Sequence, residues 1–341
     1  MKQQRSIQKG KRKIVLVAMP GAHLLDVVGP GDVFSLASKV AASVYGKDAA
    51  GYEIILASGA RSKKIVSGSG ISLLCSLRVT DIDFAVDTLL IGGMSFASVG
   101  QVHPAFDSWL RSHQPKVRRM GSVCVGAFML AKAGLLDHKR ATTHWEYCEQ
   151  LQYDYPLIEV DSSPFFVKDG SIYTSGGLTS GMDLALALVE EDLGRDIALT
   201  VARKLVLHLK RPGSQLQFGK SLPPLELTSP LVSLLHPWLH QQLQQPITVE
   251  DMAAQANMSV RNFSRVFFKE TGLTPAKFIE KMRLDTARKF LSETDLNIEQ
   301  IADRCGLGGA VSMRRVFLRH LKITPSYYRS TFRTSLVREI V

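Results

Sequence analysis

Near its C-terminal end the sequence reads ITVEDMAAQANMSVRNFSRVFFKETGLTP (Ile247–Pro275), and the pattern returns as LNIEQIADRCGLGGAVSMRRVFLRHLKITP (Leu296–Pro325). Met252-Ala253 aligns with Ile301-Ala302, forty-nine positions further on. The later halves of the copies align fifty positions apart, so the second copy carries one extra residue in its turn. A fixed repeat of this kind indicates one supersecondary unit that is used twice.

Each copy is expected to form a helix, a short turn and a second helix, with motifs at residues 247–271 and 297–321. Small Ala253 and Ala302 would let the two helices cross closely, as a helix-turn-helix requires. The outward face of each second helix is rich in groups that hydrogen-bond to bases or phosphates. The residues predicted to contact DNA are Ser259, Arg261, Asn262, Arg265, Val311, Ser312, Arg314, Arg315 and Arg319.

Taken alone, either copy is as well interpreted as an ordinary helical hairpin with a solvated basic face, because weak helix-turn-helix matches are common. Two copies in register favour DNA binding instead. The segment between them, KFIEKMRLDTARKFLSETD (residues 277–295), has apolar residues at helical spacing. It predicts one helix that holds the two recognition helices at a fixed separation.

Residues 229–333 resemble the DNA-binding domain of the AraC/XylS family. The resemblance rests on R-L-x-x-A-x-x-x-L at Arg283–Leu291, I-A-x-x-C-G at Ile301–Gly306 and T-P-x-x-Y-R at Thr324–Arg329. It implies an all-α domain whose two recognition helices enter successive major-groove segments on one face of the duplex.

The second copy departs from that family's pattern at two positions. Gly309 stands where the family usually has a capping serine, and Lys322 where it usually has glycine. Lys322 would cost about 1 kcal/mol if its turn needs a left-handed residue. The predicted fold is the same with either change.

The formal net charge of +11 is concentrated at the two ends of the chain. Residues 1–13 carry six Lys or Arg and no acid, and residues 241–341 carry sixteen Lys or Arg against ten Asp or Glu. The basic charge thus accompanies the predicted DNA-binding domain, where it would contact phosphates and release counterions. Residues 1–12 are expected to be a basic disordered tail, with direct DNA contact as the alternative.

A chain of 341 residues is long enough for two domains. Ahead of the repeat, short apolar runs such as IVLVAM (Ile14–Met19) and TLLIGG (Thr88–Gly93) alternate with helical patterns. This alternation predicts an α/β domain with a parallel sheet that is covered on both faces.

The most informative turn of this domain is SVCVG at Ser122–Gly126, between a predicted strand and a predicted helix. Small neighbours at such a turn are typical of a nucleophile elbow, which would present Cys124 where helix N–H groups lower a thiol pKa or bind an anion. Residues 13–210 resemble the ThiJ/PfpI branch of the class I glutamine amidotransferase-like fold. This resemblance rests on the same turn and on LDVVGP, IGGM, AKAGLLD, ATTHW and TSGGLTSGMDLAL. It implies a flavodoxin-like sandwich with a parallel sheet.

The resemblance also implies a ligand pocket around this turn. The residues expected to line it are His23, Asp26, Gly93, Met94, Cys124, Val125, His144, Trp145 and Thr179. The N–H groups of Cys124 and Val125 would hold a carboxylate, while Asp26 faces a cationic group. Trp145 would offer a cation–π surface. Core packing is the alternative for each residue, and for Trp145 it is the favoured one.

Cys124 is interpreted as a vestigial nucleophile rather than a catalytic residue. An activated cysteine needs a base or cation in reach. In peptidase-like members of the family a histidine follows the cysteine, whereas here the next residue is Val125. In isonitrile hydratase-like members an acid like Asp26 works with a hydroxyl after the cysteine, and this chain lacks the hydroxyl. The alternative is a ThiJ/PfpI-type hydratase or hydrolase, with Cys124 as nucleophile, that carries a DNA-binding tail.

Residues 211–228 are rich in Pro, Gly, Ser and Gln and are predicted to be a linker, and residues 334–341 a tail. The sequence has no apolar run long enough to span a bilayer and no signal-peptide core, so a cytoplasmic, nucleoid-associated protein without a membrane partner is expected. The four cysteines show neither zinc-ribbon nor disulfide spacing, so reduced thiols and no metal or cofactor are expected.

Together the two resemblances identify the chain as similar to GlxA-type transcriptional regulators. That group implies double-stranded promoter or operator DNA, RNA polymerase and a second copy of the chain as partners. It also implies an effector of the amino acid or quaternary amine class, and activation of transcription. A further interpretation is a constitutive DNA-binding protein whose first domain only dimerises.

Overall fold

One boundary, between Arg211 and Pro212, divides the chain into two units. The computed structural model describes residues 11–219 and 229–333. The first unit is an α/β domain and the second is built from helices, as the sequence predicts.

A seven-stranded sheet organises the first unit. Its neighbours follow the order β10-β11-β7-β6-β1-β2-β5, and every pair is parallel except β10 with β11. The remaining strands form two small pairs, β3 with β4 and β8 with β9. The strands, numbered along the chain, are β1 (Lys11–Ala18), β2 (Gly51–Ser58), β3 (Lys64–Val66), β4 (Ser72–Leu74), β5 (Leu77–Arg78), β6 (Thr88–Ile91), β7 (Arg119–Val123), β8 (Arg140–Ala141), β9 (Glu159–Val160), β10 (Phe166–Asp169) and β11 (Ile172–Ser175).

Helices cover both faces of this sheet. They are α1 (Leu25–Tyr45), α2 (Phe106–His113), α3 (Ala127–Lys132), α4 (Cys148–Asp154), α5 (Thr179–Leu193) and α6 (Arg195–Lys204). Successive residues of β1 point to opposite faces, so Val15 and Val17 join the core under α2 and α3. Ile14 and Leu16 join the core under α1, α5 and α6. The predicted α/β domain with a doubly covered sheet is confirmed, and the sheet is parallel except for the antiparallel edge strand β10.

The second unit contains the two predicted helix-turn-helix motifs. Its helices are α7 (Pro230–Gln242), α8 (Val249–Gln255), α9 (Val260–Thr271), α10 (Pro275–Glu293), α11 (Ile298–Arg304), α12 (Ala310–Leu321) and α13 (Pro325–Phe332). The motifs are α8–α9 and α11–α12, and α10 runs between them. Phe267 and Phe317, fifty positions apart, are fully buried in the two cores of this unit. In the described ranges, no helix is long and apolar enough to cross a membrane.

The helix ends of the two motifs are fixed by local side chains. Thr248 caps α8 and Asn297 caps α11, each through a capping box with the residue three positions on. Thr274 caps α10 and Thr324 caps α13, the helices that follow the two motifs, and in both cases proline takes the first helical position. Because these capping signals are local in sequence, the sequence alone is enough to predict the repeat.

Two boundaries differ from those expected. Strand β1 begins at Lys11 rather than after residue 12, and Arg12 lies 4.0 Å from the Asp87 carboxylate and 3.9 Å from that of Asp192. These ion pairs order the end of the expected tail, whereas residues 1–10 and 334–341 lie outside the described residues.

The second difference concerns the linker predicted at residues 211–228, of which the structure describes residues 211–219. Residues 212–219 belong to the second unit, where the Gln217 carbonyl accepts a hydrogen bond from Arg288 at 2.9 Å. The Phe218 ring lies 5.5 Å from that of Phe332. Residues 212–219 are therefore packed structure, and residues 220–228 lie outside the described ranges.

Candidate ligand cavity and nucleic-acid interface

The turn after β7 holds Cys124 in a left-handed backbone conformation, with φ at +58°. A 3-10 turn at Cys124–Gly126 then leads into α3. A Cβ atom on Gly126 would lie 2.8 Å from the Gly92 carbonyl oxygen and closer still to that of Ile91. A side chain at position 126 would therefore clash with the end of β6. Because Gly126 has none, the turn can pack tightly against that strand. This is the geometry of a nucleophile elbow.

Asp26, in the first turn of α1, lies beside this elbow and is 2% exposed. Its Oδ1 accepts a hydrogen bond from the Leu178 N–H at 2.8 Å. Among the described residues, its Oδ2 has no hydrogen-bond partner of normal geometry. A Cβ on Gly93 would lie 2.7 Å from this Oδ2 and 3.4 Å from Cys124 Sγ, so both groups face one gap. Burial raises the pKa of Asp26, and the Leu178 N–H opposes that rise.

The Cys124 thiol is held in its protonated form. Burial raises the pKa of Cys124 to about 12, the nearby Asp26 carboxylate adds to the rise, and the Val125 N–H opposes it. The Cys124 N–H donates to the Gly176 carbonyl at 3.1 Å. It is therefore not available to hold a ligand carboxylate, which corrects the expectation drawn from the sequence.

A cavity of about 400 Å³ opens at this point. Six residues expected from the sequence line it, namely His23, Asp26, Gly93, Met94, Cys124 and Val125. The lining residues that sequence reasoning missed are Gly21, Gly68, Ser95, Phe96, Ala97 and Tyr147. The Phe96 and Tyr147 rings lie 5.4 Å apart and form an aromatic wall. Their sole sequence signal is their proximity to the IGGM and ATTHW motifs.

Three other expected ligand residues are not among the lining residues. The nearest is His144, since a Cβ on Gly177 would lie 2.5 Å from its Cδ2 and 3.2 Å from Cys124 Sγ. Burial lowers the pKa of His144, which favours the neutral imidazole. The Trp145 ring lies 5.3 Å from that of His144, and Thr179 Oγ1 accepts a hydrogen bond from Arg211 at 3.0 Å. Within residues 11–219 and 229–333, no group of His, Cys, Asp or Glu is arranged to hold a metal ion.

The first recognition helix, α9, presents its predicted DNA-binding residues to solvent. Ser259 caps the helix by accepting the Asn262 N–H at 3.4 Å. Arg261, Asn262 and Arg265 are all exposed. Arg265 also donates to the Asn262 side-chain oxygen at 2.9 Å. The amide and guanidinium groups are thus held together on one face, where both can reach base edges.

The second recognition helix, α12, presents a different surface. Val311 is 69% exposed and Arg314 and Arg315 are exposed, while Ser312 is half-buried. Arg319 lies 3.2 Å from the carboxylate of Glu280 on α10. At the position that Arg261 occupies in α9, α12 therefore presents the exposed apolar side chain of Val311.

Gly309, the residue just before α12, has φ at +86°, a conformation that L side chains rarely adopt. The departure from a capping serine thus fits the local backbone. In place of that serine, Glu299 accepts the Ala310 N–H through its Oε2 at 3.1 Å. A carboxylate at this position also interacts favourably with the helix dipole.

Comparison with known proteins agrees with this architecture. The DJ-1/PfpI family matches residues 12–191, more than half of the chain, and a helix-turn-helix domain matches residues 252–331. The HTH-type transcriptional regulator CdhR of Pseudomonas aeruginosa is 27% identical over 92% of this chain and 90% of its own length. The HTH-type transcriptional regulator GlxA of Rhizobium meliloti is 29% identical over 62% of this chain and 65% of its own length.

An enzyme is also similar to part of this chain: isonitrile hydratase of Pseudomonas putida is 30% identical over 57% of this chain and 77% of its own length. The similarity to CdhR, by contrast, runs through both units. The chain therefore belongs to the DJ-1/PfpI family, and it joins that family's α/β domain to an AraC-type helix-turn-helix domain, as GlxA-type transcriptional regulators do.

Proposed function

We propose that the protein is a sequence-specific DNA-binding transcriptional regulator, and that a small effector bound in the first unit controls it without being chemically changed. The observation that carries the proposal is the pair of exposed recognition helices, α9 and α12, joined to one another through α10. Arginine and asparagine on these helices can read guanine and adenine in the major groove.

The cavity of the first unit supports an effector that is small and cationic. Its volume of about 400 Å³ suits a ligand of that size. Asp26 places a buried carboxylate oxygen in it, and a buried charge is stabilised by a partner of opposite sign. The Phe96 and Tyr147 rings offer faces that attract a cation. We infer an amine or a quaternary amine derived from an amino acid, and assign the cation–π surface to these rings rather than to Trp145.

The state of the thiol supports a non-catalytic cavity. A cysteine nucleophile acts as a thiolate, and reactive cysteines have lowered pKa values. Burial and Asp26 shift the pKa of Cys124 in the opposite direction, and burial lowers the pKa of the nearby His144, which disfavours its charged form. His144 is therefore poorly suited to act as the cation that would stabilise a thiolate at Cys124.

An enzyme remains the second candidate, because one observation favours it. Asp26 and Cys124 face the same gap, and the isonitrile hydratase is 30% identical over 57% of this chain. In that alternative Cys124 would attack the substrate. A turnover assay on the wild-type chain and on Cys124→Ser separates the two candidates, since turnover that the variant loses supports the enzyme and no turnover by the wild-type chain removes it.

The proposal further includes a homodimer and contact with RNA polymerase at the promoter, with activation as the outcome. Paired half-sites on DNA mirror a two-fold symmetric protein. Size-exclusion chromatography with light scattering tests the dimer directly, and a result of one chain per particle at micromolar concentration would remove it.

The decisive experiment is a fluorescence-anisotropy titration of the full chain against the upstream region of its own gene. It is run at physiological salt with competitor DNA, with and without a panel of amino acids and betaines. Specific binding that changes with one ligand supports both halves of the proposal. Specific binding that no ligand changes would mean that the first unit only dimerises. An absence of specific binding would contradict the proposal that the protein is a regulator.

Two variants assign the recognition helices in the same assay. Arg261→Ala and Arg315→Ala should each cost about 1–3 kcal/mol on the specific site if the residue contacts a base. Arg195→Ala, which removes an exposed arginine of the first unit, is the matched control. An equal loss on random DNA would assign the residue to phosphate contact instead.

A further inference from the structure

The loop between β11 and α5 holds a strained residue against Asp26, which lines the cavity. Leu178 has φ at +56°, although it is not glycine. Its N–H is the hydrogen-bond donor to Asp26 Oδ1, at 2.8 Å. A side-chain-bearing residue keeps a left-handed backbone only where its surroundings hold it there. Contacts with other residues must therefore hold this loop in its conformation.

Arg211, the last residue of the first unit, holds the helix that follows the loop. Its guanidinium donates to Thr179 Oγ1 at 3.0 Å and to Ser180 Oγ at 3.3 Å, both in the first turn of α5. It also forms an ion pair with the Asp183 carboxylate, one turn further along. Thr179 directly follows Leu178, so Arg211 fixes the chain immediately after the strained residue.

The same guanidinium reaches the other side of the loop. It lies over the Phe165 ring, 4.0 Å from its centre. The Phe165 carbonyl accepts the Gly176 N–H at 2.8 Å, and the Gly176 carbonyl accepts the Cys124 N–H at 3.1 Å. Arg211 is thus linked indirectly to both cavity residues. The link to Asp26 runs through Thr179 and Leu178, and the link to Cys124 runs through Phe165 and Gly176.

We propose that Arg211 is a positioning residue: it holds the loop 176–178 against the cavity and couples the charge state of Asp26 to the chain that leaves the first unit. The coupling rests on the proposed function, because it supplies the route by which an effector alters DNA binding. An effector cation that pairs with Asp26 weakens the charge-assisted bond from Leu178. The strained loop and the first turn of α5 then relax, and Arg211 loses its fixed partners next to Pro212, where the second unit begins.

The positioning role is tested by hydrogen–deuterium exchange on the full chain without any ligand. Arg211→Gln should raise the exchange rate of the Leu178 amide by about tenfold, because its hydrogen bond opens more often. Arg211→Lys, which keeps the charge, should restore part of the protection. Arg195→Gln is the control, since Arg195 pairs with Glu190 at the far end of α5, 3.1 Å away.

An unchanged Leu178 amide in Arg211→Gln overturns the positioning role. Equal acceleration in Arg211→Gln and Arg195→Gln also overturns it, because that result describes general loosening of α5. Neither readout depends on DNA or effector, so both stand if the proposed function fails.

The coupling is tested with the upstream DNA fragment and Asp26→Asn. This change removes the charge, as a bound cation would neutralise it, and keeps an acceptor for Leu178. It should change DNA affinity severalfold when residue 211 is Arg and leave it unchanged in an Arg211→Gln background. The same change in both backgrounds, or none in either, overturns the coupling. A wild-type chain that does not bind the fragment contradicts the proposed function instead, and the exchange experiment still decides the role of Arg211.

Discussion

Lys322 occupies in the second helix-turn-helix motif the position that Gly272 occupies in the first, and both backbones are left-handed, with φ at +62° and +67°. Each residue ends a recognition helix, α12 or α9. Glycine adopts this conformation without steric cost, whereas a residue with a Cβ does not. The second motif therefore keeps the shape of the turn with a less suitable residue.

Lys322→Gly should stabilise the second unit by about 1 kcal/mol, because relief of the left-handed strain outweighs the entropy that glycine adds to the unfolded chain. The reverse change, Gly272→Lys, should destabilise it by a similar amount. Denaturant unfolding of the full chain, followed through hydrogen exchange in α12 or α9, measures both. If Lys322→Gly lowers stability, the exposed hydrogen bond from the Lys322 ammonium to the Arg319 carbonyl contributes more than the backbone strain at residue 322 costs.

Features that are local in sequence could be predicted for this protein. The helices of the repeat follow from capping residues such as Thr248 and Asn297 and from apolar spacing around them. The ends of parallel strands meet at one edge of the sheet, so motifs at Asp26, Gly93 and Cys124 could be placed together before the fold was known.

Features that depend on distant contacts could not be predicted. Phe96 and Tyr147 meet because two separate 3-10 turns pack across the cavity, and no spacing in the sequence encodes that meeting. Glu299 caps α12 from eleven residues away, so Gly309 looked like a missing cap. Residues 212–219 have the composition of a linker, and only their contacts with Arg288 and Phe332 place them in the second unit.

Cys124 should be unreactive at neutral pH. Burial holds its pKa at about 12, so thiolate is scarce below that pH. Iodoacetamide alkylation of the native chain, read by mass spectrometry, should be slow at pH 8 and rise only as the pH approaches about 12. Cys124→Ser identifies which modification belongs to this residue, since Cys75, Cys148 and Cys305 are also buried. Rapid alkylation of Cys124 at pH 7 would support the enzyme instead.

Asp26→Asn should make the chain more stable at pH 7. Because burial raises the pKa of Asp26 above its ordinary 3.8, the folded chain binds more protons than the unfolded chain between that value and the raised one. Stability therefore falls as the pH rises through this window, and the burial penalty is fully present above it. Asn carries no charge and escapes the penalty, so its advantage should shrink as the pH falls towards 3.8.

Thermal unfolding at a series of pH values measures this difference for Asp26→Asn. Asp48→Asn, at an exposed carboxylate, is the control and should show no such trend. A constant difference across the series would mean that packing, rather than the charge of Asp26, determines the effect.

Glu280→Gln should strengthen the salt dependence of DNA binding. One Glu280 oxygen lies 3.2 Å from Arg319 Nη2, and the other lies 2.7 Å from His320 Nε2. Arg319 is 58% exposed, so without its carboxylate partner it is free to contact a phosphate. One added phosphate contact makes the slope of log K against log salt more negative by about 0.9.

The matched control for Glu280→Gln is Glu293→Gln, which removes the same charge from an exposed position at the other end of α10. Both variants weaken the general repulsion of DNA, but only Glu280→Gln should steepen the salt slope. Adding Arg319→Gln to Glu280→Gln should return the slope to its original value, because the new contact depends on that guanidinium. Equal slopes for the two single variants would show that Glu280 acts through net charge alone and does not hold Arg319 away from the DNA.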